Sequence, residues 1–439
     1  MDGFYSWLYS CDMTENNRIK NLNIKRAICV LLCIMALSSS AFAVSVKSTE
    51  GAANSFDSVP MLEAYYDESL TSNQDFWDAC EISLITIGEG KALYSWFGHS
   101  ALLVEAPDYP AYVYDYGTFS FDADGFYKNF ALGRLWFCCS VSYASYELAY
   151  LEMTGRAYSQ VKLNLTAGQK KAIINFLTIN SKEENRTYLY NHYTDNCATR
   201  LRDILNYATD GDFETWAKSQ SGRTFRQLAS AALSKNRLIQ WVLEFLQSGQ
   251  IDQSATLWDE MFLPAILEQA VIQYGNHLTD PDSYDASKLV SASGVQPKSN
   301  MLFSVLVGLA LGLLCFALLW RANNKGRYGL YKAYAFTIDL IFGLLGTLLM
   351  FMMCFTNHNV TWYNENLLFV NPLLIVMAIL TLKNSKLTKY FYRALLGIMA
   401  VLVVLKLVLP SIFLQDNWTA LVMLAPYYVV NAFLLKGRK

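Results

Sequence analysis

The sequence predicts an α+β domain outside the membrane, over about residues 76–275, followed by a five-helix α-helical transmembrane domain over 301–439. Three observations carry this: an export-type leader, strand and helix patterns mixed through the first half, and an apolar excess gathered beyond residue 300. The chain has 439 residues, room for two or three domains. Apolar residues make up 53% and charged residues 16%, against roughly a quarter charged in an average soluble protein. A mean hydropathy of +0.20 argues against a disordered chain and against a purely soluble one. The net charge of −2 gives no basic surface for nucleic acid.

The leader comes first. Arg18, Lys20, Lys25 and Arg26 precede the apolar run 27–37, and Ala41-Phe42-Ala43 has the A-x-A cleavage pattern. Basic flank, short core and small-residue site read as a secretory signal peptide over 1–43, the alternative being an uncleaved anchor. Met13 is an alternative start, and Cys33 lacks the preceding small residue of a lipoprotein-type site. Residues 44–75 are small and polar and read as a flexible lead-in.

Strand candidates follow at 82–86, 101–104, 112–114 and 161–165, rich in β-branched and aromatic residues. Thr166 with Gln169 makes a capping box and opens a helix to about residue 179. The stretch 196–274 is mostly helical in pattern, with Leu238, Trp241, Val242, Phe245 and Leu246 at spacings of three and four. Gly275, Asp280-Pro281, Gly294 and Pro297 mark 276–300 as a linker.

Five apolar segments come next, at about 302–320, 333–355, 367–382, 394–414 and 418–435. Most approach the roughly 20 residues a membrane-crossing helix needs. The first loop carries Arg321, Lys325, Arg327 and Lys332, and the third Lys383, Lys386, Lys389 and Arg393. The second (356–366) and fourth (410–417) carry neither Lys nor Arg, and the tail ends in Lys436, Arg438 and Lys439. The positive-inside rule then puts the first and third loops and the C-terminus in the cytoplasm. Residues 44–300 fall outside, as the leader independently requires. The expected location is a bacterial inner membrane, multi-pass, with a periplasmic domain.

Two motifs carry chemistry. One is Trp96-Phe97-Gly98-His99-Ser100, directly before a strand; the other runs from Tyr190 to Leu201 and contains Thr194-Asp195-Asn196-Cys197. Thr194, Asp195 and Asn196 are all N-cap types, and Leu201, Ile204 and Leu205 give the helical face that follows. Cys197 is therefore expected in the first turn of a helix, where the dipole and free N–H groups favour negative charge. An imidazole on a strand edge is the usual partner of such a nucleophile, and His99 is the best candidate. The plainer alternatives are a buried structural cysteine and a structural histidine. His192 reads as a solvated loop residue, the alternative being a second polar group in the site, and His277 as inert. Of the cysteines, Cys80, Cys138, Cys139 and Cys197 face the oxidising periplasm and allow one disulfide. No spacing resembles a zinc site, and neither metal nor cofactor is expected.

The order His first, then Asn-Cys at a helix start, resembles the circularly permuted branch of the papain-like NlpC/P60 superfamily, which includes the lecithin:retinol acyltransferase-like enzymes. Phe97-Gly98-His99-Ser100, Tyr114-Asp115-Tyr116-Gly117-Thr118-Phe119, the Tyr193–Asp203 stretch and the five-helix C-terminal part together resemble the Lnb-type lipoprotein N-acyltransferases, over about 80–435. That resemblance implies transfer of an acyl chain from a membrane phospholipid to the α-amine of a lipoprotein's lipid-modified cysteine. It implies Cys197 as nucleophile and His99 as general base and acid. Asp115 is a candidate to orient the imidazole, although its side chain could equally face solvent. Asn196, Arg200, Tyr193 and Trp96 are candidates for substrate binding or support. Trp96, Phe97 and Tyr193 would supply an apolar surface or simply core. In the membrane half, His358 and Asn371 on the outward side are candidates to bind a headgroup or the diacylglyceryl-cysteine, against an ordinary polar loop. Asp339, Lys406 and Asn431 stand out as polar groups within helices. The competing readings are a Cys–His peptidase or amidase acting on cell-wall peptides, a phospholipase or thioesterase using water, and a non-catalytic periplasmic sensor.

Overall fold

The computed structural model describes residues 74–121, 123–290 and 301–434. The expected signal peptide, and the lead-in up to residue 73, lie outside the described residues. Two compact units account for the described chain: one holds 74–240 and 254–290, the other 241–253 and 301–434.

The first unit is built on a six-stranded, wholly antiparallel sheet in the order β5-β1-β2-β3-β4-β6. Its strands are β1 (Glu81–Ile87), β2 (His99–Glu105), β3 (Tyr112–Thr118), β4 (Trp136–Tyr143), β5 (Tyr158–Lys162) and β6 (Thr187–Leu189). From Ile82 to Ile87 every residue of β1 is buried, so this strand is covered on both faces. Helix α1 (Gln74–Ala79) precedes β1, and α2 (Phe126–Ala131) and α3 (Ala144–Thr154) flank β4. Ala144 and Leu151 of α3 join Ile85, Ile87, Ala101, Leu103 and Val113 in one apolar cluster. Helix α4 (Ala167–Asn180) starts with the expected capping box, Thr166 accepting from the Gln169 N–H at 3.3 Å. Then come α5 (Cys197–Ala208), α6 (Asp212–Lys218), α7 (Phe225–Leu233), α8 (Arg237–Leu246), α9 (Leu257–Glu260) and α10 (Pro264–Gln273). Helix α5 packs on β2 and β3, and α10 on β1.

Four sequence expectations need correction here. β4 and β6 are strands that the sequence reading lacks. The strand expected at 161–165 ends at Lys162, with Leu163 making only an isolated bridge to Thr279. That bridge, with three short turns between Gly275 and Lys288, folds the first part of the expected linker onto the domain. The periplasmic cysteines form no disulfide: Cys80, Cys138, Cys139 and Cys197 are all free and buried.

The second unit is helical: α11 (Met301–Asn324), α12 (Tyr328–Phe355), α13 (Leu373–Leu382), α14 (Leu387–Val408) and α15 (Trp418–Val429), the last continued by a π turn, Val430–Leu434. Among the described residues four spans are long and apolar enough to cross a membrane, while a fifth apolar helix, Trp418–Leu434, is shorter. The fourth helix lies at Leu387–Val408 rather than 394–414. Leu409-Pro410 follows it, and proline cannot continue the ladder however apolar the run. Gly308 and Gly312, four apart on α11, let α15 approach: a Cβ on Gly312 would come within 2.5 Å of the Met423 carbonyl oxygen. Small residues at this spacing are how helices pack closely without a hydrophobic drive between them. Asp339 sits in the core, accepting from Tyr392 at 2.5 Å and Tyr427 at 2.7 Å. Asn431 accepts from Tyr331 and donates to the Tyr427 carbonyl at 2.7 Å.

The segment Trp241–Gln253 belongs to this helical unit, an excursion that a boundary at residue 275 does not contain. The C-terminal carbonyls of α8 are satisfied by side chains of the second and fourth loops. Asn364 donates to Phe245 at 2.9 Å and Leu246 at 3.0 Å, Asn366 to Phe245 at 3.0 Å, and Gln415 to Gln247 at 3.2 Å. Ser248 N–H reaches the Val360 carbonyl at 2.7 Å, and Asp416 N–H reaches Asp252 at 3.1 Å. Beneath them Lys406 is buried rather than snorkelling. It pairs with Glu365 at 2.5 Å and donates to the Gln415 carbonyl at 2.6 Å.

Candidate active site

Gly98 opens the site. Its φ of +79° is left-handed, and a Cβ there would meet the Ile87 carbonyl oxygen at 2.9 Å, so glycine suits the turn that delivers His99 as first residue of β2. The register pairing Leu102 with Tyr114, carried on, sets His99 across from Gly117 and diagonal to Asp115 on the same sheet face. Diagonal neighbours of that kind are within reach of long side chains. Asp115 Oδ1 lies 2.8 Å from His99 Nε2 and also accepts the Gly117 N–H. A register shift between Asp115 and Thr118 marks an irregularity in β3 at this point.

Cys197 is the first residue of α5, on the helix that packs against β2, and its sulfur is near enough to His99 to help raise the imidazole's pKa. The helix start is fixed by a capping box: Asn196 Oδ1 accepts the Thr199 N–H at 2.9 Å, and Thr199 Oγ1 accepts the Asn196 N–H at 2.7 Å. Asn196 Nδ2 also donates to the carbonyls of His192 at 2.8 Å and Phe262 at 2.9 Å. The cap takes the third N–H of the helix, leaving those of Cys197 and Ala198 as first-turn donors. Upstream, Asn191 and Asp195 pair backbone to backbone at 2.8 and 3.0 Å, a tight loop that delivers Asn196. Arg200 grips both oxygens of Asp195, at 2.5 and 2.8 Å, and lies 4.2 Å over the Tyr188 ring.

Burial opposes charge on His99, but the Asp115 carboxylate and then the Cys197 sulfur hold its pKa well above the usual histidine value. Burial likewise pushes Asp115 up, yet His99 and the Gly117 N–H bring it below the usual carboxylate range. Both partners are thus shifted toward their charged forms. Glu147 on α3 is raised by burial and by Asp115, with His99 opposing, and so stands near the same pair.

The structure therefore brings Cys197, His99 and Asp115 together, and Asp115 turns to the imidazole rather than to solvent. Asn196 and Arg200 shape the helix start. Tyr193 is buried among Phe225 and Phe262, with ring centroids at 4.9 and 5.1 Å, and is core. Trp96 is partly exposed and donates to the Lys91 carbonyl at 3.1 Å. His192 is no solvated loop residue. Its ring packs 4.3 Å from Phe97 and 4.8 Å from Tyr193, and burial lowers its pKa to about 4. His358 and Asn371 belong to the helical unit: the His358 carbonyl accepts from Thr361 at 2.7 Å, and Asn371 Oδ1 caps the Leu373 N–H at 3.1 Å.

Gly117 is the residue whose role sequence reasoning missed, although it stood within a quoted motif. A Cβ there would fall on His99 Cε1. The Gly117→Ala variant should shift the imidazole and slow acylation of Cys197 by about 100-fold, the usual scale for a misplaced catalytic group. Rapid-quench measurement of acyl-enzyme formation checks this, and an unchanged rate would show that the ring tolerates the methyl group.

Fold and site together describe an α+β domain with a cysteine at a helix start near a histidine–aspartate pair, in a chain that continues into apolar helices. Two family models match it: the Lnb N-terminal periplasmic domain over residues 66–231 and the Lnb transmembrane domain over 296–436. The chain belongs to the Lnb family of lipoprotein N-acyltransferases and is a multi-pass inner-membrane protein with a periplasmic domain. No curated protein and no solved structure matches it.

Proposed function

We propose that this chain moves an acyl chain from a membrane phospholipid, through a thioester on Cys197, to the α-amine of the diacylglyceryl-cysteine of lipoproteins. The observation that carries this reading is the His99–Asp115 pair on the sheet face against which the helix that starts at Cys197 packs, in a chain of this family.

In the first half-reaction the Cys197 sulfur, its proton already passed to His99, attacks the phospholipid ester carbonyl. The N–H groups of Cys197 and Ala198 stabilise the oxyanion. The tetrahedral intermediate expels the lysophospholipid alkoxide, and His99 returns the proton to it. In the second half the neutral α-amine attacks the thioester, His99 accepts its proton, and the thiolate leaves as the amide forms. Asp115 keeps the ring oriented and stabilises the imidazolium in both halves.

The chain order, His99 on a strand before Cys197 on a helix, supports a permuted papain-like domain of the NlpC/P60 type. Topology has support of its own. The excursion Trp241–Gln253, from the part of the chain assigned outside, bonds to the two loops that lack Lys and Arg. That agrees with a periplasmic catalytic domain and a cytoplasmic C-terminus.

The test is mass spectrometry of lipoprotein N-termini from a strain depleted of its own N-acyltransferase and expressing this chain. A third acyl chain, as an amide on the terminal cysteine, is expected. Its absence, with the protein present in the membrane, would sink the proposal.

A further inference from the structure

An aromatic strip leads from the surface to the nucleophile. Helix α2 carries Phe126, Tyr127 and Phe130, yet none of its residues is buried, and Tyr127 is 75% exposed. Phe121, just before it, is 50% exposed. Its ring stands 4.8 Å from Phe119 and 5.1 Å from Phe126. Phe119 lies 4.8 Å from Phe137, and Phe137 stacks on Tyr190 at 4.3 Å. Phe119, Phe126, Phe137 and Tyr190 are all only partly buried, so the strip is open along one side. Its inner end lies at the site: the Tyr190 hydroxyl is 3.4 Å from His192 Nδ1, and the His192 carbonyl accepts at 2.8 Å from Asn196, the residue before Cys197.

A soluble core would cover these rings, since each aromatic brings a large apolar area, and contiguous exposed apolar surface marks a binding site. Of the seven rings named, five are phenylalanines, whose side chains neither donate nor accept hydrogen bonds. Such a track offers few of the hydrogen bonds that peptide backbone or sugar hydroxyls call for, and it suits hydrocarbon. The chain itself carries helices long enough to cross a bilayer, so hydrocarbon is the ligand at hand.

We infer that the strip from Phe121 through Phe119 and Phe137 to Tyr190 binds the hydrocarbon tail of the acyl donor and leads its ester to Cys197. This rests on the acyl-transfer reading and adds to it the place where the chain lies.

The experiment uses the full-length Cys197→Ala protein in vesicles of phosphatidylethanolamine and phosphatidylglycerol, doped with a phospholipid bearing a diazirine near the end of one acyl chain. After irradiation, label is mapped by mass spectrometry. Label is expected on peptides spanning 119–137 and should fall by at least about fivefold when Phe121→Ser is added. Phe121→Leu should keep most of it, and unchanged thermal unfolding of both variants shows that the fold persists. Label confined to the membrane helices, or undiminished by Phe121→Ser, overturns the assignment. Labelling needs no chemistry at Cys197, so the two readings fail separately. Label on the strip with no thioester in the wild type would reject acyl transfer and leave the hydrocarbon site standing.

Discussion

Replacing Cys197 by alanine is expected to abolish the acyl-enzyme and to lower transfer to lipoprotein amines by about 10,000-fold or more, the scale seen when a covalent nucleophile is removed. The structure gives the reason. Asp115 is committed to the ring, and among the described residues of this domain the other cysteines, Cys80, Cys138 and Cys139, are fully buried. Cys197→Ser should instead acquire a mass increment of one acyl group as an oxygen ester, stable to neutral hydroxylamine where the thioester is not. Intact-mass analysis of the purified membrane protein reads both. Equal lipoprotein acylation by wild type and Cys197→Ala would remove this residue from the mechanism. Loss of acylation with a wild-type melting profile would place the effect in chemistry and not in folding.

The second large effect belongs to stability. Lys406→Met leaves the Glu365 carboxylate buried without its cation, and removing one partner of a buried pair costs about 3–5 kcal/mol. The loss should be felt at a distance along the chain. Glu365 and the Gln415 side chain are bonded to each other, Gln415 holds Asn364, and Asn364 holds the carbonyls that end α8. Thermal unfolding in detergent should show the destabilisation, and limited proteolysis should find new cleavage within 241–253. The double variant Glu365→Gln with Lys406→Met should recover much of the loss, because it leaves no unpaired charge. Unchanged unfolding and unchanged protection in Lys406→Met would mean that the pair is replaceable by water.

Much of the candidate site was legible because capping and strand starts are written locally. Asn196 before Cys197 and Thr166 with Gln169 each depend on a few adjacent residues, and each took the expected form. Asp115 could be suspected but not aimed, since a period of two says which face a residue takes only once register is known. Gly117 was invisible for the same reason: its need for no side chain comes from a ring across the sheet. Trp136–Tyr143 escaped because it lacks alternation, being partly covered on both faces, and Thr187–Leu189 because three residues hold no period. The excursion was the largest loss. Trp241, Phe245 and Leu246 make an amphipathic face that reads the same whether it meets a soluble core or membrane helices.

That excursion has a consequence for modularity. The polypeptide passes between the two units three times, near residues 240, 253 and 300, so the halves are sewn together and not merely joined end to end. A hybrid that grafted the soluble half of one relative onto the helices of another, spliced only near residue 300, would bring a foreign α8 terminus to the asparagine and glutamine donors that cap it. Exchange of whole halves by recombination is therefore disfavoured unless residues 241–253 travel with the helices they are stitched to.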